Sequence, residues 1–197
     1  MFTPVSKISA GTRLKRLPRL AIDLGFSGSS RSCGWACQHR GDLSPQTKRL
    51  TYPACIRETV ALLARDSEIV LIVEAPLSAA FNASGAPCAR GEFEATLPPR
   101  WWNLRAGAQM ALAAQYFLKA LGAALPPRST QYLIEGFVAG DASGDHDRVA
   151  ETLCGAFGDL SAAAWCEPAA HQLISVLDWV DPAAPAGCPI VMIPSVR

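Results

Sequence analysis

At 197 residues, half of them hydrophobic and 18% charged, the chain is long enough for one good core and too short for two comfortable domains. Its net charge of +1 argues neither for nor against nucleic acid. No run approaches the roughly 20 apolar residues of a membrane span, and the N-terminus lacks the apolar block of a signal peptide, so a soluble cytoplasmic protein is expected. The charge is unevenly spread: residues 1 to 22 hold Lys7, Arg13, Lys15, Arg16 and Arg19 and no acid. Residues 1–19 therefore read as a basic arm, either a solvated tail or a contact for phosphates, ahead of a single domain over 20–197. The seven cysteines are odd in number, scattered and set among apolar neighbours, which fits reduced core thiols better than a disulfide framework. Cys33-Gly-Trp-Ala-Cys37 lacks the spacing of a zinc pair.

After the arm, Leu20 to Gly25 predicts a strand, Phe26 to Arg31 a Gly/Ser turn, and Cys33 to His39 a second strand, together a hairpin. Gln46 to Tyr52 predicts a short third strand. Pro53 suits the first turn of a helix that runs to about Arg65, with Ile56, Val60, Leu62 and Leu63 on its apolar side. Glu68 to Val73 is nearly all β-branched residues and Leu, as expected of a central strand covered on both faces. Residues 78–102, rich in Gly, Ala, Pro and charge, look like a long lid or insertion carrying Arg90, Glu92, Glu94, Arg100, Trp101 and Trp102. Asn103 can cap a helix through Tyr116 and Phe117 to about Leu121. Thr130 to Val138 predicts a strand, Asp145 to Phe157 a helix, Ala169 to Leu177 a further helix, and Pro189 to Ile193 a last strand.

Two apolar strands carry an acid at their edge, Asp23 in Leu20-Ala-Ile-Asp-Leu-Gly25 and Glu74 after Ile69-Val-Leu-Ile-Val73. A carboxylate there is costly to desolvate unless it is paired, hydrogen-bonded or on a cation. More acids follow in Gly144-Asp-His-Asp-Arg-Val-Ala-Glu151, where Asp147 and Glu151, four apart, would share a helix face with Cβ atoms about 5–6 Å apart. Asp145 stands where a helix cap belongs, and His146 could assist proton transfer, orient a water, or simply begin the helix. The alternative for Asp23 and Glu74 is a strand-end acid that accepts backbone N–H bonds.

The order strand, strand, strand, helix, strand, helix, strand, helix is that of the ribonuclease H-like fold, an α/β class with a five-stranded mixed sheet, here with a C-terminal extension. Asp23 with Gly25, the Glu74-Ala-Pro-Leu77 strand end, the charged loop after it, Glu135-Gly136 and the Asp147/Glu151 helix together resemble predicted RNase H-like nucleases of unknown function and, more distantly, RuvC-type resolvases. The resemblance spans about residues 20–158. It implies that the first and fourth strands are central neighbours with the last helix close by, so that Asp23, Glu74, Asp147 and Glu151 converge on Mg²⁺ or Mn²⁺, with His146 beside them and Glu135 as a further ligand or supporting group. Two ions roughly 3.5–4 Å apart would then serve hydrolysis of a phosphodiester in nucleic acid. Arg100, Trp101, Trp102 and Arg105 are the expected nucleic-acid contacts, the arginines on phosphate and the indoles on bases, unless the Trp pair only anchors the lid. Against the family's pattern, Glu151 stands where Asp is usual, and its spacing from Asp147 is one longer than in the resolvases.

Two other readings compete. Asp23-Leu-Gly-Phe-Ser-Gly-Ser-Ser30 also resembles the first phosphate loop of actin-like ATPases and sugar kinases, folds of about twice this length. The third reading is an inactive partner-binding subunit. The sequence leaves open DNA or RNA, and assembly as a homodimer or a larger complex.

Overall fold

The computed structural model describes residues 2–5, 11–95, 105–126, 129–138, 144–159, 161, 163–168, 172–180 and 187–194. Its centre is a mixed sheet whose strands alternate in direction on one side and run parallel through the middle. β2 (Arg19–Asp23) lies antiparallel to β3 (Cys33–Gln38), and β3 antiparallel to β4 (Gln46–Leu50). On its other side β2 runs parallel to β5 (Glu68–Glu74), which runs parallel to β8 (Thr130–Gly136). Every residue of β3, and Ile69 to Val73 of β5, is buried, so both faces of these strands must be covered.

Helices supply that cover. Thr51 caps α2 (Tyr52–Leu63), accepting from the Ala54 amide at 3.4 Å, and Pro53 sits in its first turn where no amide donor is needed. α2 packs with α4 (Arg105–Ala124) on one face, and the Tyr52 hydroxyl donates to the Ala113 carbonyl at 2.6 Å to tie the two helices together. On the other face α5 (His146–Gly158) presses Val149, Ala150, Leu153 and Phe157 onto Ala21, Ala36, Val70 and Ile72. Each of the larger side chains here, Val, Leu, Ile or Phe, when fully buried stabilises the fold by about 1.5–3 kcal/mol relative to an exposed one.

The architecture departs from the expected five strands. The main sheet has eight, because β11 (Val191–Pro194), β9 (Ala163–Cys166) and β1 (Phe2–Pro4) extend it beyond β8. β1 and β11 share one edge of β8: Phe2 to Pro4 run parallel to Gln131 to Leu133, and Val191 and Met192 to Glu135 and Gly136. They are stitched end to end, the Val5 amide donating to the Leu133 carbonyl at 3.0 Å, Ile190 to Val5 at 2.7 Å and Glu135 to Ile190 at 3.1 Å. Phe2 and Val5 are buried, so residues 2–5 belong to the sheet; an unpaired edge on β8 and two apolar side chains draw them in. Leu14 of the short helix α1 (Gly11–Leu14) is buried as well.

The expected lid is partly regular structure. β6 (Ser78–Phe81), β7 (Pro87–Cys88) and α3 (Glu92–Ala95) follow β5, and β6 pairs antiparallel with β10 (Gln172–Ser175) in a separate three-stranded sheet. The predicted helix over 169–177 is therefore strand β10 over Gln172–Ser175, set by a partner more than 90 residues away, followed by the short helix α6 (Leu177–Val180). No helix among the described residues is long and apolar enough to cross a membrane.

Candidate functional site

One row of residues crosses four strands. Arg49 of β4 is opposite Gly34 of β3, Gly34 is opposite Asp23 of β2, and Asp23 is opposite Glu74 of β5. Neighbours in such a row lie on strands about 4.8 Å apart. Side chains alternate along a strand, and Ala36, Ala21 and Ile72, each two positions from the row, pack into the core under α5. The row accordingly faces the N-terminal end of α5.

Gly34 lets the helix come down on that row. A Cβ built there would lie 1.8 Å from the His146 carbonyl oxygen and 3.0 Å from the Asp147 amide, so only glycine admits this approach. The contact brings His146 over Asp23: the imidazole Nδ1 is 2.8 Å from Asp23 Oδ2, and the Asp23 carboxylate is only 6% exposed. The hydrogen bond to Asp23 raises the His146 pKa above 6.5, against the opposing pull of partial burial.

Asp147 is half-buried beside this pair. Its Oδ1 is shielded from solvent and has no hydrogen-bond partner; the guanidinium of Arg49 stands 4.0 Å away. Arg49 is tied into the same corner from several sides. Its Nε donates to the Arg31 carbonyl at 2.9 Å and one terminal nitrogen to the Gly144 carbonyl at 3.4 Å, while the other is 3.7 Å from Asp145 Oδ1. Asp145 occupies the cap position of α5, but its side chain does not cap the helix and leans on Arg49 instead.

The expected acids are thus sorted by geometry. Asp23 and Glu74 are neighbours in register, and His146 and Asp147 sit at the adjoining helix end. Glu151 is exposed one turn further along α5. Glu135 belongs to the opposite face, sharing its parity with Leu133, which packs under α2 and α4. There Glu135 takes a two-pronged ion pair from Arg90, at 2.6 and 2.7 Å, and accepts the Leu77 amide at 3.0 Å. Arg90 is 1% exposed and also bonds Glu94 and Ser78 at 2.8 Å each. Burial alone would lower the Arg90 pKa, but the Glu135 and Glu94 carboxylates reverse that and hold the guanidinium charged. This cluster fastens residues 77–94 to the end of β8 and is no part of the row. Arg100, Trp101 and Trp102 lie outside the described residues, as does the side chain of Arg105, the first residue of α4.

Among the described residues, no three His, Cys, Asp or Glu side chains are gathered closely enough to hold a metal ion as they stand. What the corner does offer is two acidic residues in register on neighbouring strands, Asp23 and Glu74, and a third, Asp147, with a buried oxygen that lacks a hydrogen bond. Carboxylate oxygens in that number are the donors that Mg²⁺ and Mn²⁺ prefer, with waters completing the shell. Arg49 and Gly34 escaped the sequence reading; a glycine inside an otherwise apolar strand, a sign of close backbone approach, was the available clue. Comparison with family models, with curated proteins and with solved structures yields no match to this chain.

Proposed function

We propose that this protein is a metal-dependent hydrolase of phosphodiesters in nucleic acid, built on a ribonuclease H-like core. The observation that carries the reading is the row itself: two strand-end carboxylates, Asp23 and Glu74, in register on the central parallel pair and roofed by the acidic start of α5. Supporting it, the first and fourth strands of the β2-to-α5 unit are neighbours, with the last helix packed over them, as the ribonuclease H-like order requires.

In this reading Asp23, Glu74 and Asp147 hold Mg²⁺ or Mn²⁺, and Glu151, exposed on the next turn, contributes at most through water. Bound there, the metal would lower the pKa of an attacking water and stabilise the leaving oxygen. The chain's own part is to orient. Gly34 fixes how close α5 can come, Asp23 sets the imidazole of His146 by holding Nδ1, and the other ring nitrogen is the one through which His146 would accept or return a proton. The backbone amides at the start of α5 favour an anion such as a substrate phosphate.

The test is cleavage of labelled single-stranded, duplex and branched DNA and RNA with Mn²⁺, with Glu74→Gln as control. Metal-dependent cleavage lost in the control supports the reading. Cleavage that survives in Glu74→Gln, or no binding or cleavage of any of these substrates at low salt, removes it. A partner-binding subunit is the second reading, favoured by a shallow apolar groove between α4, β10 and α6 where Leu112, Ile174 and Trp179 are exposed. Actin-like nucleotide binding, the third, would show as stabilisation by ATP.

A further inference from the structure

Arg49 is the one cation on the row, and what it does there is not explained by packing. It lies, itself exposed, on an outer strand whose residues are mostly exposed, yet its guanidinium reaches back across Gly34 to the loop before α5. There it meets two carboxylates, Asp145 at 3.7 Å and Asp147 at 4.0 Å, without a hydrogen bond to either at those distances. Its hydrogen bonds go to the carbonyls of Arg31 and Gly144 instead. The guanidinium therefore holds Asp147 by charge alone and retains N–H donors that match phosphate geometry. Asp147, for its part, keeps a shielded oxygen with nothing to accept from, the least settled position a carboxylate can take.

Resting on the metal-dependent reading above, we propose that Arg49 is a positioning residue that holds Asp147 back until a substrate phosphate takes its guanidinium. The phosphodiester brings the same single charge as Asp147 but, unlike Asp147 at 4.0 Å, can take the guanidinium's remaining N–H donors as charge-assisted hydrogen bonds. Once Arg49 turns to it, Asp147 is released toward Asp23 and Glu74, and the third metal donor is supplied only when substrate is present. This also places Arg49 at the phosphate itself, in a position to select a backbone phosphodiester over uncharged ligands.

The experiment is Mn²⁺ calorimetry on wild type, Arg49→Ala, Arg49→Lys, Asp147→Asn and Arg49→Ala/Asp147→Asn, each with and without the dinucleotide d(TpT) as phosphodiester probe. Without the probe, Arg49→Ala should bind Mn²⁺ roughly two- to fivefold more tightly than wild type, the scale of one exposed ion pair. That gain should vanish in the Asp147→Asn background, since it acts through Asp147. The probe should tighten Mn²⁺ binding in wild type and partly in Arg49→Lys, which keeps the charge without the fork, but not in Arg49→Ala. Equal Mn²⁺ affinity of wild type and Arg49→Ala overturns the proposal and leaves the metal reading intact. So does a gain in Arg49→Ala that persists with Asp147→Asn, because it would be general repulsion. Absence of Mn²⁺ binding in every variant overturns both.

Discussion

Substituting Gly34 by alanine tests the geometry on which the site depends. The new Cβ would sit 1.8 Å from the His146 carbonyl oxygen, whereas non-bonded atoms settle at roughly 3.5 Å. The obstacle is backbone on both sides, so no side chain can rotate away; β3 and the first turn of α5 must part by about 1.7 Å. Overpacking of this kind costs about 1–3 kcal/mol, and the rigid carbonyl puts this case at the upper end. The same movement would stretch the 2.8 Å contact between His146 and Asp23 beyond hydrogen-bond range. Urea unfolding of Gly34→Ala should therefore show a lower midpoint at unchanged slope. NMR titration should show the His146 pKa falling back toward its ordinary 6.5. A variant within about 0.5 kcal/mol of wild type that keeps the raised His146 pKa would mean that α5 does not rest on Gly34, and the row would lose its roof.

Arg90→Met should destabilise the protein by about 3–5 kcal/mol, because it leaves Glu94 and Glu135 buried without their counter-charge, and adding Glu94→Gln with Glu135→Gln should restore much of the loss; denaturant midpoints measure both. Phe2→Ala should cost about 3–5 kcal/mol if the N-terminal residues are part of the sheet, and nothing measurable if they form a solvated arm. His146 is held above its unfolded pKa by Asp23, so its contribution is fully present below about pH 6.5 and is lost as pH rises through the raised value. The melting-temperature advantage of wild type over His146→Gln should accordingly shrink from pH 5.5 to pH 8.5, and an advantage that grows over that range would refute the pairing.

Local signals carried the centre of the molecule. Proline announced α2, though the Thr51 cap was read as strand, the apolar run announced β5, and an acid after each buried strand announced Asp23 and Glu74. Register did not announce itself. Glu135 looked like a third strand-end acid, but β5 and β8 pair with Glu135 opposite Val73 rather than Glu74, and a one-residue offset turns a side chain to the other face. That offset separates a member of the site from a member of a buried salt cluster. Arg49 was hidden for the same reason: its position in the row follows from two hairpin registers, each set by contacts beyond its own strand. β10 took its conformation from β6 and was read as helix because nothing nearby contradicted a helix.

The shared edge of β8 bears on how the chain reaches its folded state. β1 is made first, yet its partner lies about 130 residues later, and the other half of that edge is filled only by residues 190–194. At synthesis rates of about 5–20 residues per second, Phe2 and Val5 wait many seconds for a surface to cover them. Parallel pairing across so long a loop is slow even after release, because closure entropy is spent before any contact forms. The half-made protein therefore presents an apolar N-terminal segment and an open strand edge that fit one another. In a crowded polysome, the β1 of one nascent chain can dock on the β8 of the next, so this molecule's exposure to misassembly is greatest while the edge of β8 still waits for residues 190–194.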